Sequence, residues 1–144
     1  EHIAKLIHKE VGGTLHRIRP ETPYPNAYNA SVEQAKQEIK SGIKPPLRNA
    51  LEQVREFDLV VMGSPNWWST IAPPVRTFLA GHDFSDKTLA PFCTHGGGGI
   101  GHIINDITEL CRNANILKPF VVYGRGGNTI SVEMAAWLDA IKPA

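Results

Sequence analysis

Cysteine is scarce in this chain: Cys93 and Cys111 are the only two among 144 residues. They form no CxxC pair, and no histidine stands at ligand spacing from either. A disulfide framework and a cysteine zinc site are thereby excluded, and both thiols read as reduced core residues. Long hydrophobic runs are absent too. No apolar stretch approaches the ~20 residues that a membrane helix needs, so no membrane role is expected. Charge of one sign is also lacking, because 15 Lys and Arg stand against 14 Asp and Glu, a net charge of +1. That balance offers no footprint for nucleic acid. The six histidines are scattered without HExxH or another ligand pattern, and no metal is expected. No signal peptide is read at the start, which looks like a polar amphipathic helix, so a cytoplasmic location is the expectation.

What is present is ordinary globular material. The 42% apolar and 20% charged content suits a single domain over residues 1–144 that buries roughly 70% of its unfolded surface. Ile3, Ile7 and Val11 recur at helical spacing until Gly12-Gly13, a C-cap signal. Thr14 to Ile18 reads as a strand, and Pro20, Pro23 and Pro25 read as a loop. Ser31 to Gln34 forms a capping box for a helix to about Lys40. Pro45-Pro46 is expected to restart a helical turn or two, with Leu47, Leu51 and Val54 inward. A strand follows from Phe57 to Met62, then a helix opened by Pro73-Pro74 with Val75, Phe78 and Leu79 on its core face. The strand from Thr88 to Cys93 precedes a helix over about His102 to Cys111. A strand from Ile116 to Tyr123 then leads to a helix capped by Ser131, carrying Val132, Trp137, Leu138 and Ile141.

Strict alternation of helix and strand implies a doubly wound parallel sheet, an α/β domain with helices on both faces. The order begins with a helix and holds only four strands. A further N-terminal strand with its loop, about 10–15 residues at typical element lengths, is expected to belong to the natural domain. The strand at 14–18 would then lie at one edge, separated from the strand at 57–63.

Two loops carry the chemistry, each at the carboxyl end of a strand, where open α/β sheets bind ligands. One is Gly63-Ser64-Pro65-Asn66-Trp67-Trp68-Ser69-Thr70, with adjacent indoles. The other is Thr94-His95-Gly96-Gly97-Gly98-Gly99-Ile100-Gly101, with bare backbone N–H groups. An aromatic face beside a row of amide donors suits a planar heteroaromatic cofactor, and flavin fits best. The indoles otherwise read as core under the following helix, the glycines as a plain flexible loop. His95 either donates to the ligand or caps the next helix.

At these loops the sequence resembles the flavodoxin-like superfamily, and most of all its short flavodoxin-type members. The resemblance rests on G-x-P-x-W-W over Gly63 to Trp68 and, one βα unit later, P-F-x-T-x-G-G-x-G over Pro91 to Gly99. The turn from His82 to Lys87 also looks like the family's, and the likeness runs from Ile3 to Ile141. It implies a five-stranded flavodoxin-like sheet in a three-layer α/β/α sandwich, of which this chain would hold the last four strands. It further implies FMN, with the ring held by Ser64, Pro65, Asn66, Trp67 and Trp68 from one loop. Thr94, His95, Gly96, Gly97, Gly98 and Gly99 would come from the other, with Trp67 as the stacking ring. In the family the first βα loop and the helix after it cradle the FMN phosphate. That loop is not in this chain, and Glu1 to Ala4 resembles the first turn of the helix that follows it.

Residues 95–101 hold no second aromatic, so one ring face is expected to be open. The resemblance then implies redox chemistry, an NAD(P)H-linked reduction of a quinone or similar small acceptor, with Arg125 as an anchor for a nicotinamide phosphate. The alternatives are an electron-carrier flavodoxin serving redox partner proteins and a cofactor-free interaction domain; a homodimer is compatible with each. A carrier would favour an acidic surface, which the charge balance lacks. Gly96-x-Gly98-x-x-Gly101 also matches a dinucleotide fingerprint, but Tyr123-Gly124-Arg125 stands where an acidic ribose ligand belongs. An esterase reading of His95 to Gly98 fails for want of a GxSxG elbow.

Overall fold

The computed structural model describes residues 2–48 and 52–141. Along the chain run α1 (His2–Val11), α2 (Tyr28–Ser41), β1 (Leu59–Trp67), β2 (Thr70–Ile71) and α3 (Pro73–Ala80). They are followed by β3 (Thr88–His95), α4 (Ile103–Leu110), β4 (Asn115–Ile116), β5 (Phe120–Tyr123) and α5 (Ile130–Ile141). The centre of the sheet is β3. It pairs in parallel with β1 on one side and with β4 and β5 on the other.

Alternation along β3 divides the core in two, because successive side chains point to opposite faces. Leu89 and Cys93 join Met62 beneath Val75, Phe78 and Leu79 of α3 and Ile103 and Ile107 of α4. Ala90 and Phe92 join Phe120 and Val122 beneath Ile3 and Ile7 of α1 and Met134, Trp137 and Leu138 of α5. Helices therefore cover both faces of a mostly parallel sheet, the doubly wound α/β architecture expected from the alternation of elements. Each large apolar side chain buried this way contributes about 1.5–3 kcal/mol. In α3 the prolines occupy the first helical positions, where a missing N–H costs nothing.

Several boundaries differ from the sequence reading. Residues 14–18 form no strand. Leu15 and Arg17 are exposed while His16 and Ile18 are half-buried, so the alternation is real, but the segment finds no ladder among the described residues. It leads instead to an isolated antiparallel bridge, Pro20 to Leu47. There Arg48 N–H donates to Arg19 O at 2.8 Å, and Glu21 N–H donates to Pro46 O at 2.7 Å. The segment after Pro45-Pro46 is accordingly extended rather than helical. A 3-10 turn over Glu52–Glu56 carries buried Val54, and Leu51 lies outside the described residues. The capping box is not used: α2 starts at Tyr28, with Ala27 as an N-cap that makes no side-chain bond. Ser131 falls inside α5, and Val132 is 73% exposed.

The strand expected from Ile116 to Tyr123 is broken, and the reason lies across the sheet. Register runs Leu89 to Ile116 and then Phe92 to Phe120, so the outer chain carries one extra residue over that interval. Pro91, in the middle of β3, has no N–H to give, and Pro119 interrupts the partner. Two facing prolines thus produce a bulge. The Lys118 carbonyl freed there accepts a bond of 2.8 Å from the Trp137 indole N–H. On the opposite side, β1 from Leu59 to Pro65 has no ladder partner on its outer edge among the described residues.

Candidate functional site

Both motif loops are shorter than the sequence reading made them, because the strands run further. β1 continues through Gly63 to Trp67, and β3 continues to His95. Trp67 then pairs with Thr70 across a two-residue turn, giving an antiparallel hairpin with β2. Its central residues, Trp68 and Ser69, have φ of 55° and 65°. That is the type I′ arrangement, for which Asn-Gly is the usual sequence. Holding ordinary residues in this left-handed region costs about 1–3 kcal/mol each, and such strain clusters at functional sites.

Three residues hold the strained turn: Asp106, His102 and Val32. The Asp106 carboxylate of α4 accepts from the Thr70 hydroxyl and, at 3.1 Å, from Ile71 N–H, and it pairs with Arg76 at 3.6 Å. Ser69 O accepts from His102 N–H at 2.6 Å. The Trp68 indole N–H donates to Val32 O of α2 at 3.1 Å. Gly101 makes this closure possible: its φ is 54°, and a Cβ there would lie 2.6 Å from Ser69 O. A second tie joins the loops, from the Asn66 side-chain amide to Gly99 O at 2.7 Å. The two sequence motifs are therefore one surface at the carboxyl end of the sheet.

Within it the predicted residues divide by role. The buried Ser64 hydroxyl donates to Pro65 O at 2.8 Å and accepts from Ala72 N–H at 3.0 Å, so it fastens the start of α3 to β1. Pro65 and Thr94 are register partners and line up the strand ends. A Cβ at Gly96 or Gly99 would meet nothing within 4 Å, so the glycine loop presents open backbone. The His95 side chain turns back into that loop, its Nδ1 accepting from Gly97 N–H at 3.0 Å and Gly99 N–H at 3.1 Å. It is an acceptor inside its own loop and does not cap α4, whose N-cap is His102. The amides of Gly96 and Gly98 are not spent on His95.

The indoles also divide. Trp67 is half-buried against the first core, and the edge of Tyr24 meets its ring at 5.2 Å between centroids. Tyr24 donates to Glu38 at 2.6 Å. Burial first, then that bond and the nearby carboxylate charge, pushes its phenol well above the ordinary range. Trp68 is 50% exposed, with the Lys36 ammonium 5.3 Å from its ring centroid. Beneath the glycine loop, burial pushes the Cys93 thiol up to about 11. Cys93 and Cys111 are both free and buried.

Sequence reasoning missed Tyr123. It pairs in register with His95, and the two rings meet edge-on at 5.5 Å. It is 68% exposed and lines an open cleft of about 420 Å³ with His95, Val121, Gly126, Gly127 and Glu133. Only the register of β3 on β5 reveals this second aromatic. Arg125 points elsewhere, with Nη2 3.3 Å from His2 Nδ1 of α1.

The flavodoxin family model matches residues 1–141. The chain belongs to the flavodoxin family. It is similar in structure to a candidate flavoprotein from Bacteroides eggerthii, with a TM-score of 0.82 and 27% identity over 97% of this chain and 88% of that one. A candidate flavoprotein from Bacteroides uniformis gives a TM-score of 0.79 and 26% identity over 94% and 86% of the two chains. A flavoprotein from Lactobacillus acidophilus, in complex with FMN, shares the fold at a TM-score of 0.64 and 18% identity, over 83% of this chain and 82% of its own. No protein of curated description matches. Among the described residues there is no helix long and apolar enough to cross a membrane, and no cluster of three metal-ligating side chains.

The site suits the flavin of this family in its own chemistry. Bare glycine backbone faces open space beside aromatic rings.

Proposed function

We propose that this flavodoxin-family chain binds FMN at the joined loops and serves redox chemistry, as an NAD(P)H-linked reductase of a quinone or similar small acceptor. The observation that carries the reading is the junction of the two motifs. The strained Trp68-Ser69 turn and the open Gly96 to Gly99 backbone are fastened to each other by Asn66 and His102. When bound, FMN would supply electron or hydride exchange with donor and acceptor. The chain's part is to hold the ring. Trp67 offers an aromatic wall, while Asn66 and His95 keep the glycine backbone in place for the ring's polar edge. Backbone amides aimed at that edge stabilise charge that develops there. Trp68, bonded to α2, anchors the wall rather than forming it.

One observation favours the carrier reading. Tyr123 supplies, from β5, the second aromatic that the glycine loop lacks. Against it stands the balance of 15 basic and 14 acidic residues, which gives no strong field for docking a charged partner. Reductase is therefore the preferred assignment, in the cytoplasm. The test is anaerobic spectroscopy of the FMN-loaded protein. Bleaching of the flavin band by NADH or NADPH, followed by turnover with a water-soluble quinone, supports the reductase. No bleaching by either nicotinamide, with rapid reduction by a protein reductase, favours the carrier.

A further inference from the structure

The His95 imidazole does something in this structure that the flavin reading does not require. It is the last residue of β3, and its Nδ1 accepts from two amides of its own loop, Gly97 at 3.0 Å and Gly99 at 3.1 Å. A ring nitrogen accepts only when it carries no proton, so this geometry demands the neutral imidazole with its hydrogen on Nε2. Four consecutive glycines have no side chains of their own to shape a loop. The contacts that hold this one are the two bonds to Nδ1, the tether from Asn66 to Gly99 O at 2.7 Å and a longer one from the Cys93 thiol to the same oxygen at 3.9 Å. The ring itself is held in place. Gly124 N–H donates to His95 O at 2.8 Å, and Tyr123 packs edge-on against the imidazole at 5.5 Å.

We infer that neutral His95 is the positioning residue of the glycine loop, and that adding a proton to Nδ1 releases Gly97 and Gly99 from their observed places. Protonation would turn the acceptor into a donor facing two N–H groups, so both bonds are lost in one step. Histidine is the side chain suited to making that change between pH 5 and 8. Its surroundings contain few competing charges. The Tyr123 phenol on β5 and the Glu133 carboxylate on α5 share its cleft. The end of β1 and the loop itself bear no charged side chain, and Arg125 after β5 is directed at His2. The inference extends the proposed flavin site, since it rests on the same loop, but it concerns the loop's shape in the protein alone.

The experiment is a titration of the full chain, labelled with ¹⁵N, from about pH 8 to about pH 5. Expected are matching midpoints for the His95 ring nitrogens and the Gly97 and Gly99 amides. In His95→Asn, the Oδ1 atom replaces Nδ1 as acceptor without titrating, so the two amides should keep their high-pH positions throughout. In His95→Ala they should occupy the released positions at every pH. Amides that stay still while His95 titrates would overturn the inference. So would amides that follow the midpoint of Glu133, or that still move in His95→Asn. Adding FMN separates the two readings. Ring binding should weaken about tenfold on acidification in the wild type but not in His95→Asn, as loss of two ordinary hydrogen bonds implies. If FMN fails to bind at any pH, the flavin reading falls, while the amide titration alone decides the role of His95.

Discussion

Asp106 is the side chain on which the site most depends without touching its open surface. Its carboxylate serves the Thr70 hydroxyl, the Ile71 N–H and the Arg76 guanidinium, so α4, β2 and α3 meet at one group. Asp106→Ala would leave a buried hydroxyl and an amide unpaired, at about 1–3 kcal/mol each by the usual cost of stranded polar groups. Urea denaturation should show a loss in that range, and a loss under about 0.5 kcal/mol, the level of an ordinary surface change, would mean the contact is idle. His82 lies against Phe78 at 4.6 Å between centroids, with His16 on the same ring at 5.9 Å. Burial first, and then His16, lowers the His82 pKa. A folded value below the unfolded one means the contribution is complete above about pH 6.5, the ordinary histidine value, and fades as pH falls through the folded value. The urea midpoint should therefore drop on acidification, and less steeply in His82→Gln; an identical slope in that variant would exclude His82 as the source. At this scale the sequence was a partial guide. That Asn66, Trp67 and the glycines meet at the carboxyl end of the sheet was legible from the strand patterns before them. Asp106 and Tyr123 were not, because their roles arise only when α4 meets β2 and β5 registers on β3.

Among the elements, the hairpin of β1 and β2 is the one that local propensity argues against. A type I′ turn normally carries Asn or Gly, and here it carries Trp68 and Ser69. Nothing in the sequence signals it, which is why Gly63 to Thr70 reads as one long loop. The turn is imposed by tertiary contacts, and its strain should be removable. Ser69→Gly should stabilise the protein by about 1 kcal/mol, since glycine adopts positive φ without steric cost. Thermal denaturation measures this, and a destabilised Ser69→Gly would mean the serine side chain holds the turn by itself. The broken outer strand was hidden for a related reason. Pro91 and Pro119 each read as tolerable within its own segment, and only their juxtaposition makes the bulge that Trp137 closes. By contrast α3 was fully legible, because its prolines stand at the helix start and its apolar spacing agrees with them. The segment 14–18 shows the limit of periodicity. Its alternation reports one inward face, but strand structure also needs a neighbour to pair with.

For the whole molecule, parallel register brings the carboxyl ends of β1, β3 and β5 to one side of the sheet, with Pro65 beside Thr94 and His95 beside Tyr123. Two separate cores on opposite faces hold that arrangement, and α2 and α4 reach the site directly through Val32 and Asp106. Family membership makes flavin the ligand to test. Within the site, Trp67→Ala should weaken FMN by about 1–3 kcal/mol, in line with aromatic stacking on bases, as read by quenching of flavin fluorescence. Trp68→Ala should leave affinity within a few-fold, because that indole is engaged with Val32 and Lys36. The most direct measurement is an FMN titration of the ¹⁵N-labelled chain followed residue by residue. Saturable shifts should appear at the Trp67 indole and at the amides of Gly96 to Gly99, with Gly81 to Asp83, which line a separate cleft, unmoved. Shifts centred on that separate cleft, or no saturable shift in either motif loop, would contradict the assignment of the flavin site.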